Sequence, residues 1–195
     1  MAKGRIFYVI GPSGSGKDSV MRYAREQLAS NAYAVKNTVF AHRYITRPVE
    51  TQGENHIALS EAEFDARLSA GLFAMHWTSH GLRYGIGHEI GLWMSRGCNV
   101  VINGSREYLG EARQRFPELV AVMISVSPEV LARRLRQRGR ESEQQIAERL
   151  DRAAQFNHHN IPMEVIRNDE DLAEAGAHLI KLLTERVPGE RLLCD

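Results

Sequence analysis

The chain has 195 residues, 43% of them hydrophobic and 25% charged, which bounds it to one globular domain with a proper core and room for a small inserted lid. A net charge of +1 excludes a protein that coats nucleic acid or membrane over its whole surface, and leaves only a local basic patch open. No apolar stretch approaches the length needed to cross a bilayer, and the run from Met1 to Ile10 reaches Gly11 before it is long enough for a signal peptide, so a cytoplasmic protein is expected. Cys98 and Cys194 lack metal-ligand spacing; a reducing compartment is the simpler reading, with a disulfide between them left open.

Apolar strand-like runs alternate with helical patterns along the chain, the sign of an α/β parallel sheet. Arg5–Ile10 reads as a buried first strand, Ser15–Leu28 as the helix after it, and Val39–Ile45 as a second strand. From Thr46 to Gly91 short β-like pieces at His56–Leu59 and Phe73–Thr78 surround a helix near Glu61–Ser69, with Ser60 and Glu63 as its capping box. Asn99–Asn103 and Val120–Ser125 return to the buried-strand pattern, each followed by a helix, and Pro128 suits the first turn of the helix toward Arg138. A second capping box, Ser142 to Gln145, opens a helix toward Phe156; Glu164–Ile166 is a last strand and Leu172–Arg186 the closing helix. Val187–Asp195 reads as a loose tail. The expected fold is a three-layer α/β core with two insertions, one acceptor-sized and one lid-like.

Gly11-Pro12-Ser13-Gly14-Ser15-Gly16-Lys17-Asp18 lies between the first strand and its helix, the context that separates a phosphate-binding P-loop from a chance match. Glycines let successive N–H groups curl around a phosphate, and the helix N-terminus adds partial positive charge. Lys17 would reach the β- and γ-phosphates of ATP; a ligand-free turn would have no use for the Gly-Lys ending. The next residue, normally Ser or Thr on Mg²⁺, is Asp18, followed by Ser19. Asp18 is read as a metal ligand, directly or through water, since a carboxylate is a hard-oxygen donor. The other reading is an exposed first-turn acid favoured by the helix dipole.

Arg133, Arg134, Arg136, Arg138 and Arg140 crowd one helix end, with Arg149 and Arg152 on the next helix. Some are solvated helix face, Arg133 and Arg136 above all. Arg138 and Arg149 are assigned to a mobile lid whose guanidiniums match phosphoryl oxygens and whose closure excludes water. None of the eight histidines shows metal spacing, and His158-His159 read as helix-end surface residues.

With these motifs in place the chain resembles the guanylate kinase family of P-loop kinases over most of its length. The P-loop matches, Tyr44-Ile45-Thr46-Arg47-Pro48 is similar to that family's phosphate-gripping segment, and Gly81-Leu82-Arg83-Tyr84-Gly85 to its Gly-Asn-Tyr-Tyr-Gly. Arg138 through Leu150 resembles its lid, and Val165–Asp169 its late strand near the adenine. The resemblance implies a core over residues 1–38, 92–137 and 160–195, an acceptor-binding region over 39–91 and a lid over 138–159. It implies phosphoryl transfer from ATP with Mg²⁺, with Arg47 and Tyr84 on the acceptor phosphate, Arg138 and Arg149 on the transferring group, and Asn168 near the adenine.

Departures from that family gather in the acceptor site. Its base-reading glutamate falls at Met75, an acidic strand end at Asn103, a phosphate-gripping arginine at Glu50, a phosphate-contacting serine at Arg43, and an Asp-Tyr pair at Asn55-His56. A buried methionine cannot accept hydrogen bonds from a guanine edge. Ala41–Arg47, Gly53–Ser60, Val101–Arg106 and the P-loop ending Lys17-Asp18-Ser19 resemble the ribose 1,5-bisphosphate phosphokinases, which make 5-phosphoribosyl 1-diphosphate (PRPP). That resemblance implies two small-molecule substrates, ATP and ribose 1,5-bisphosphate, with neither nucleic acid nor membrane as partner. A base-free bisphosphate suits the donors Arg43, Arg47, His42, His56 and Arg106, the last beside Asn103. Arg43 and Arg106 each lie at a predicted strand end, where α/β sheets bind ligands; each histidine also has the reading of a satisfied polar residue under a loop. A nucleotide kinase of altered base preference and a non-enzymatic binding module are the competing readings, and oligomeric state, a homodimer included, is left open.

Overall fold

The computed structural model describes residues 3–30, 37–48, 56–139, 141–155 and 162–185. Glu50, Asn55, Arg140, His158, His159, Cys194 and the tail Val187–Asp195 lie outside the described residues.

A five-stranded parallel sheet forms the centre. Its middle strand, β1 (Ile6–Ile10), is apolar and buried at every position, and helix α1 (Lys17–Ala29) follows it. β2 (Thr38–Phe40) is one edge; further along the chain β7 (Asn99–Asn103) and β8 (Val120–Ser125) flank β1, and β9 (Glu164–Arg167) is the other edge, in the order β2-β7-β1-β8-β9. Alternate side chains of β1 serve opposite faces. Ile6, Tyr8 and Ile10 pack with Ile102, Met75 and Leu109, whereas Phe7 and Val9 pack with Val20, Val101, Ile124 and Leu179. A strand covered on both faces must be apolar throughout, which is why β1 reads as a continuous run.

A second, four-stranded sheet has the order β4-β3-β6-β5, built from β3 (Tyr44–Ile45), β4 (Ile57–Ala58), β5 (Phe73–Ser79) and β6 (Leu82–Gly87). Helix α2 (Glu61–Ser69) packs on it through Phe64, which meets the Phe73 ring at 4.7 Å. β5 and β6 form a hairpin whose two turn residues, His80 and Gly81, have φ of 50° and 74°; two positive φ values in a two-residue loop match the strand twist. Helices α3 (Glu89–Ser95) and α4 (Leu109–Arg115) complete that side of the core. α7 (Leu172–Thr184) packs against α1 on the opposite face. α5 (Pro128–Arg138) and α6 (Glu143–Ala154) meet in a separate apolar cluster of Leu131, Leu135 and Ile146.

The structure corrects three expectations. The run Val39–Ile45 is two strands in two sheets: β2 pairs with β7, whereas β3 pairs with β6 and β4, the chain changing sheet at Ala41–Arg43. Both halves are apolar enough to read as one strand. β6 and α3 have no counterpart in the sequence reading, because two glycines and Arg83 interrupt the apolar pattern of β6. Ser60 caps α2 by accepting from the Glu63 N–H at 3.1 Å, but the Glu63 carboxylate turns to Arg67 at 2.6 Å, leaving half a capping box. The box at Ser142 and Gln145 is complete.

Candidate active site

The P-loop leaves the carboxyl end of β1. Gly14 and Gly16 have φ of 101° and 81°, the left-handed region that other residues enter at a cost. A side chain at Gly16 would collide with Asn168. Asn168, 3% exposed, donates from Nδ2 to the Ser15 carbonyl at 2.7 Å, and Arg134 donates to the same oxygen at 3.3 Å. Two separate elements thus hold the loop's backbone in place. Ser15 itself is buried beneath the loop.

Lys17, Asp18 and Asn103 form a polar triangle at the head of α1. Lys17 Nζ donates to Asn103 Oδ1 and lies 3.5 Å from Asp18 Oδ1, while Asn103 Nδ2 donates to Asp18 Oδ1 at 2.8 Å. The Asp18 side chain is 65% exposed; the protein packed around it acts to raise its carboxyl, but the Lys17 and Arg43 charges and the bond from Asn103 together hold it below the ordinary aspartate value. Asp18 is therefore a carboxylate, and it and Ser19 line the cleft described next. Among the described residues no group of three or more His, Cys, Asp or Glu could cage a metal. One or two hard protein oxygens beside a phosphate cradle, with phosphate and water completing the shell, is the way Mg²⁺ is held, so the donor set fits it.

A cleft of about 310 Å³ runs from the P-loop to the second sheet. It gathers Arg43, Tyr84, Arg106, Arg138 and Arg149 opposite the glycines, Pro12, Ser13 and Lys17. Arg43 follows β2 and Arg106 follows β7, so both stand beyond carboxyl ends of parallel strands. The Arg43 guanidinium lies 5.0 Å from the Tyr84 ring centroid. Tyr84 stacks on Trp77 at 5.5 Å and 5°, and Trp77 on Tyr108 at 5.4 Å and 27°. This aromatic column ties the cleft-facing Arg43 to the core through a cation–π contact. Gly104 lets the chain pass so close to Tyr8 that any side chain there would meet its ring, and the Ser105 N–H donates to Tyr8 Oη at 3.0 Å. Arg106 is thereby carried to the cleft on a braced turn.

From α6, Arg149 donates to Ser13 Oγ at 2.8 Å and pairs with Glu141 at 3.1 Å. Glu141 is mostly buried, its side chain 12% exposed. A further cleft of about 380 Å³ adjoins the other side of Gly14 and Gly16; Arg134, Gln137, Arg138 and Asn168 line it.

Not every expected residue reaches the cleft wall. Asn103 lies under it, bound to the Lys17–Asp18 pair. Arg47 and His56 are outside it; His56, 5% exposed, sets its Nε2 3.2 Å from the Arg47 carbonyl. Arg47 Nε is buried with no hydrogen-bond partner among the described residues. The sequence reading passed over Trp77, His80, Glu141 and the cleft face of Arg152. Only Arg152 carried a signal, since it falls three residues after Arg149 and so on the same helical face.

The AAA domain family model matches residues 8–157. Among curated relatives, ribose 1,5-bisphosphate phosphokinase PhnN of Thiobacillus denitrificans is 63% identical over 191 residues, covering 98% of each chain. The protein of the same name from Chromobacterium violaceum is 50% identical over 191 residues, covering 98% of this chain and 97% of that one. In three dimensions the chain is similar to the guanylate kinase of Anaplasma phagocytophilum, with a TM-score of 0.67 at 20% identity, over 93% of this chain and 85% of that one. That likeness establishes a guanylate-kinase-like P-loop fold and nothing narrower. With near full-length identity to the first two relatives, the chain belongs to the ribose 1,5-bisphosphate phosphokinase family.

Proposed function

We propose that this chain transfers the γ-phosphoryl group of ATP to the 1-phosphate of ribose 1,5-bisphosphate, giving PRPP and ADP. The observation that carries the reading is the acceptor wall. It presents Arg43 and Arg106 at the cleft, while Met75, where a base reader would be expected, is 0% exposed within the core. Such a wall suits phosphates without a base. The names of the relatives and the long motif matches point the same way.

In the reaction an oxygen of the acceptor's 1-phosphate forms a bond to the γ-phosphorus as the bond to the ADP oxygen breaks. The attacking oxygen is already anionic, so no general base is needed, and positioning with charge neutralisation carries the rate. The P-loop from Gly11 to Ser19 is assigned to the ATP phosphates, with Lys17 against the β- and γ-oxygens. Arg138 and Arg149 stabilise charge on the transferring group, and Asn168, which braces the loop, borders the further cleft assigned to the rest of the nucleotide. Asp18 would hold Mg²⁺, which would supply charge neutralisation at the phosphates. Tyr84 is assigned to the acceptor wall, with Asn103 bracing its floor; Arg47 and His56 are assigned a supporting position behind it. In this reading residues 39–91 are the acceptor-binding region and 138–159 the lid, on a cytoplasmic protein. Among the described residues no helix is long and apolar enough to cross a membrane.

The test is turnover with MgATP and, separately, ribose 1,5-bisphosphate, GMP, AMP and no acceptor. Fastest turnover on the sugar bisphosphate, with PRPP as product, is expected. A preference for GMP would make it a nucleotide kinase, and silence on every acceptor would leave a binding module.

A further inference from the structure

Two arginines from different parts of the fold line one cleft. Arg106 follows β7 on the rigid core, and Arg152 lies near the C-terminal end of α6 on the lid; both line the cleft wall. Arg106 is half-buried. Burial lowers its pKa most, Glu107 acts in the opposite sense, and the charge of Arg152 adds to the lowering. Among the described residues Arg152 has no ion-pair partner, and its Nε donates only to the Glu148 carbonyl one turn back. Arg152 is exposed; like charges lining one cleft repel, and an anion between them relieves the repulsion.

Helix α6 explains how Arg152 comes to be there. Ile146 is buried against Leu131 and Leu135, with Leu150 and Ala153 packed beside it, so that face is fixed on α5. Arg149 and Arg152, three residues apart, share another face. Arg149 reaches Ser13 of the P-loop. One helix therefore sends Arg149 to the P-loop and Arg152 to a cleft that Arg106 also lines.

We propose that Arg152 and Arg106 form a two-arginine clamp for a phosphate of the acceptor, one jaw on the core and one on the lid. The clamp rests on the reading of this cleft as a phosphoryl-transfer site for a phosphorylated sugar. An anion between the jaws turns their repulsion into a pair of charge-assisted contacts and draws the lid over both substrates. Full closure then needs the acceptor, which restrains loss of the γ-phosphoryl to water.

The experiment uses full-length protein with the P-loop saturated by Mg²⁺ and a non-hydrolysable ATP analogue. Ribose 5-phosphate and ribose 1,5-bisphosphate are titrated by calorimetry into wild type, Arg152→Ala, Arg152→Lys, Arg106→Ala and the double Ala variant. Each Ala variant should weaken at least one sugar phosphate about tenfold or more, the size of a lost charge-assisted contact. The double variant should lose less than the product of the two, and Arg152→Lys should recover part of the affinity. Affinity for the ATP analogue, which any collapse of the lid would move, should stay within about twofold. Unchanged sugar-phosphate affinity in Arg152→Ala, strict additivity, or an equal loss for the ATP analogue would overturn the clamp. So would a wild type that binds neither sugar phosphate. Arg152-dependent binding without turnover would leave the clamp standing and remove the proposed reaction; turnover indifferent to Arg152 would do the reverse.

Discussion

Asp18 stands where a P-loop ordinarily has a hydroxyl, and its surroundings show how a carboxylate is tolerated beside a polyphosphate. Lys17, Arg43 and the amide of Asn103 converge on it, so its charge is matched before any ligand arrives. A carboxyl whose folded value is lowered contributes fully above the ordinary aspartate range and loses that contribution only as pH falls through the lowered value. Metal affinity should therefore show no Asp18 titration near neutral pH. Asp18→Asn keeps the bond geometry and removes the charge. It should raise the Mg²⁺ concentration for half-maximal turnover by about tenfold, with a smaller change in ATP KM. An unchanged Mg²⁺ curve in that variant would leave the first-turn dipole reading.

At the scale of elements, caps and packing decide how firmly the lid holds its arginines. Ser142 accepts from the Gln145 N–H at 3.3 Å and its own N–H is taken by Gln145 Oε1 at 2.8 Å. Removing the hydroxyl with Ser142→Ala should destabilise α6 by about 1 kcal/mol. Because α6 packs through a small apolar cluster apart from the main core, the loss should appear as faster hydrogen exchange across Glu143–Ala154 with little shift in the global melting temperature. A melting shift equal to a core mutation would mean that the lid unfolds with the sheet. Ser60 and Glu63 illustrate the limit of a sequence signature: the spacing is right, yet Arg67 one turn on competes for the carboxylate and wins.

For the whole molecule the central relation is between the P-loop and α6. Arg149 joins them through Ser13, and Glu141, with Oε2 buried and unpartnered among the described residues, fixes the guanidinium from behind. Glu141 is a positioning residue in this arrangement. Glu141→Gln should lower kcat about tenfold while leaving ATP KM within about threefold, because the contact matters most when charge spreads in the transition state. Glu141→Asp should recover part of the rate; equal losses from both, with lowered melting temperature, would reduce Glu141 to a packing role.

The P-loop, the lid caps and the lid arginines were legible because each is local: a strand, a glycine turn and a helix follow within a few residues, and i, i+3 neighbours share a face. That Met75 offers no strong acceptor was also legible, since a thioether is a poor hydrogen-bond partner in any fold, and the structure buries it in the core. Which cations face the cleft was not. Arg43, Arg106 and Arg152 come from the end of β2, the end of β7 and α6, and only the parallel order β2-β7-β1 and the packing of α6 on α5 bring them to one cavity. Arg47 and His56 carry equally suitable chemistry in the same stretch of chain, yet do not line the cleft. The aromatic column of Tyr84, Trp77 and Tyr108 depends on a hairpin folding across the sheet. Local backbone preference sets an element and its motif; the direction in which a long cationic side chain points is settled by the distant surfaces that leave it room and charge.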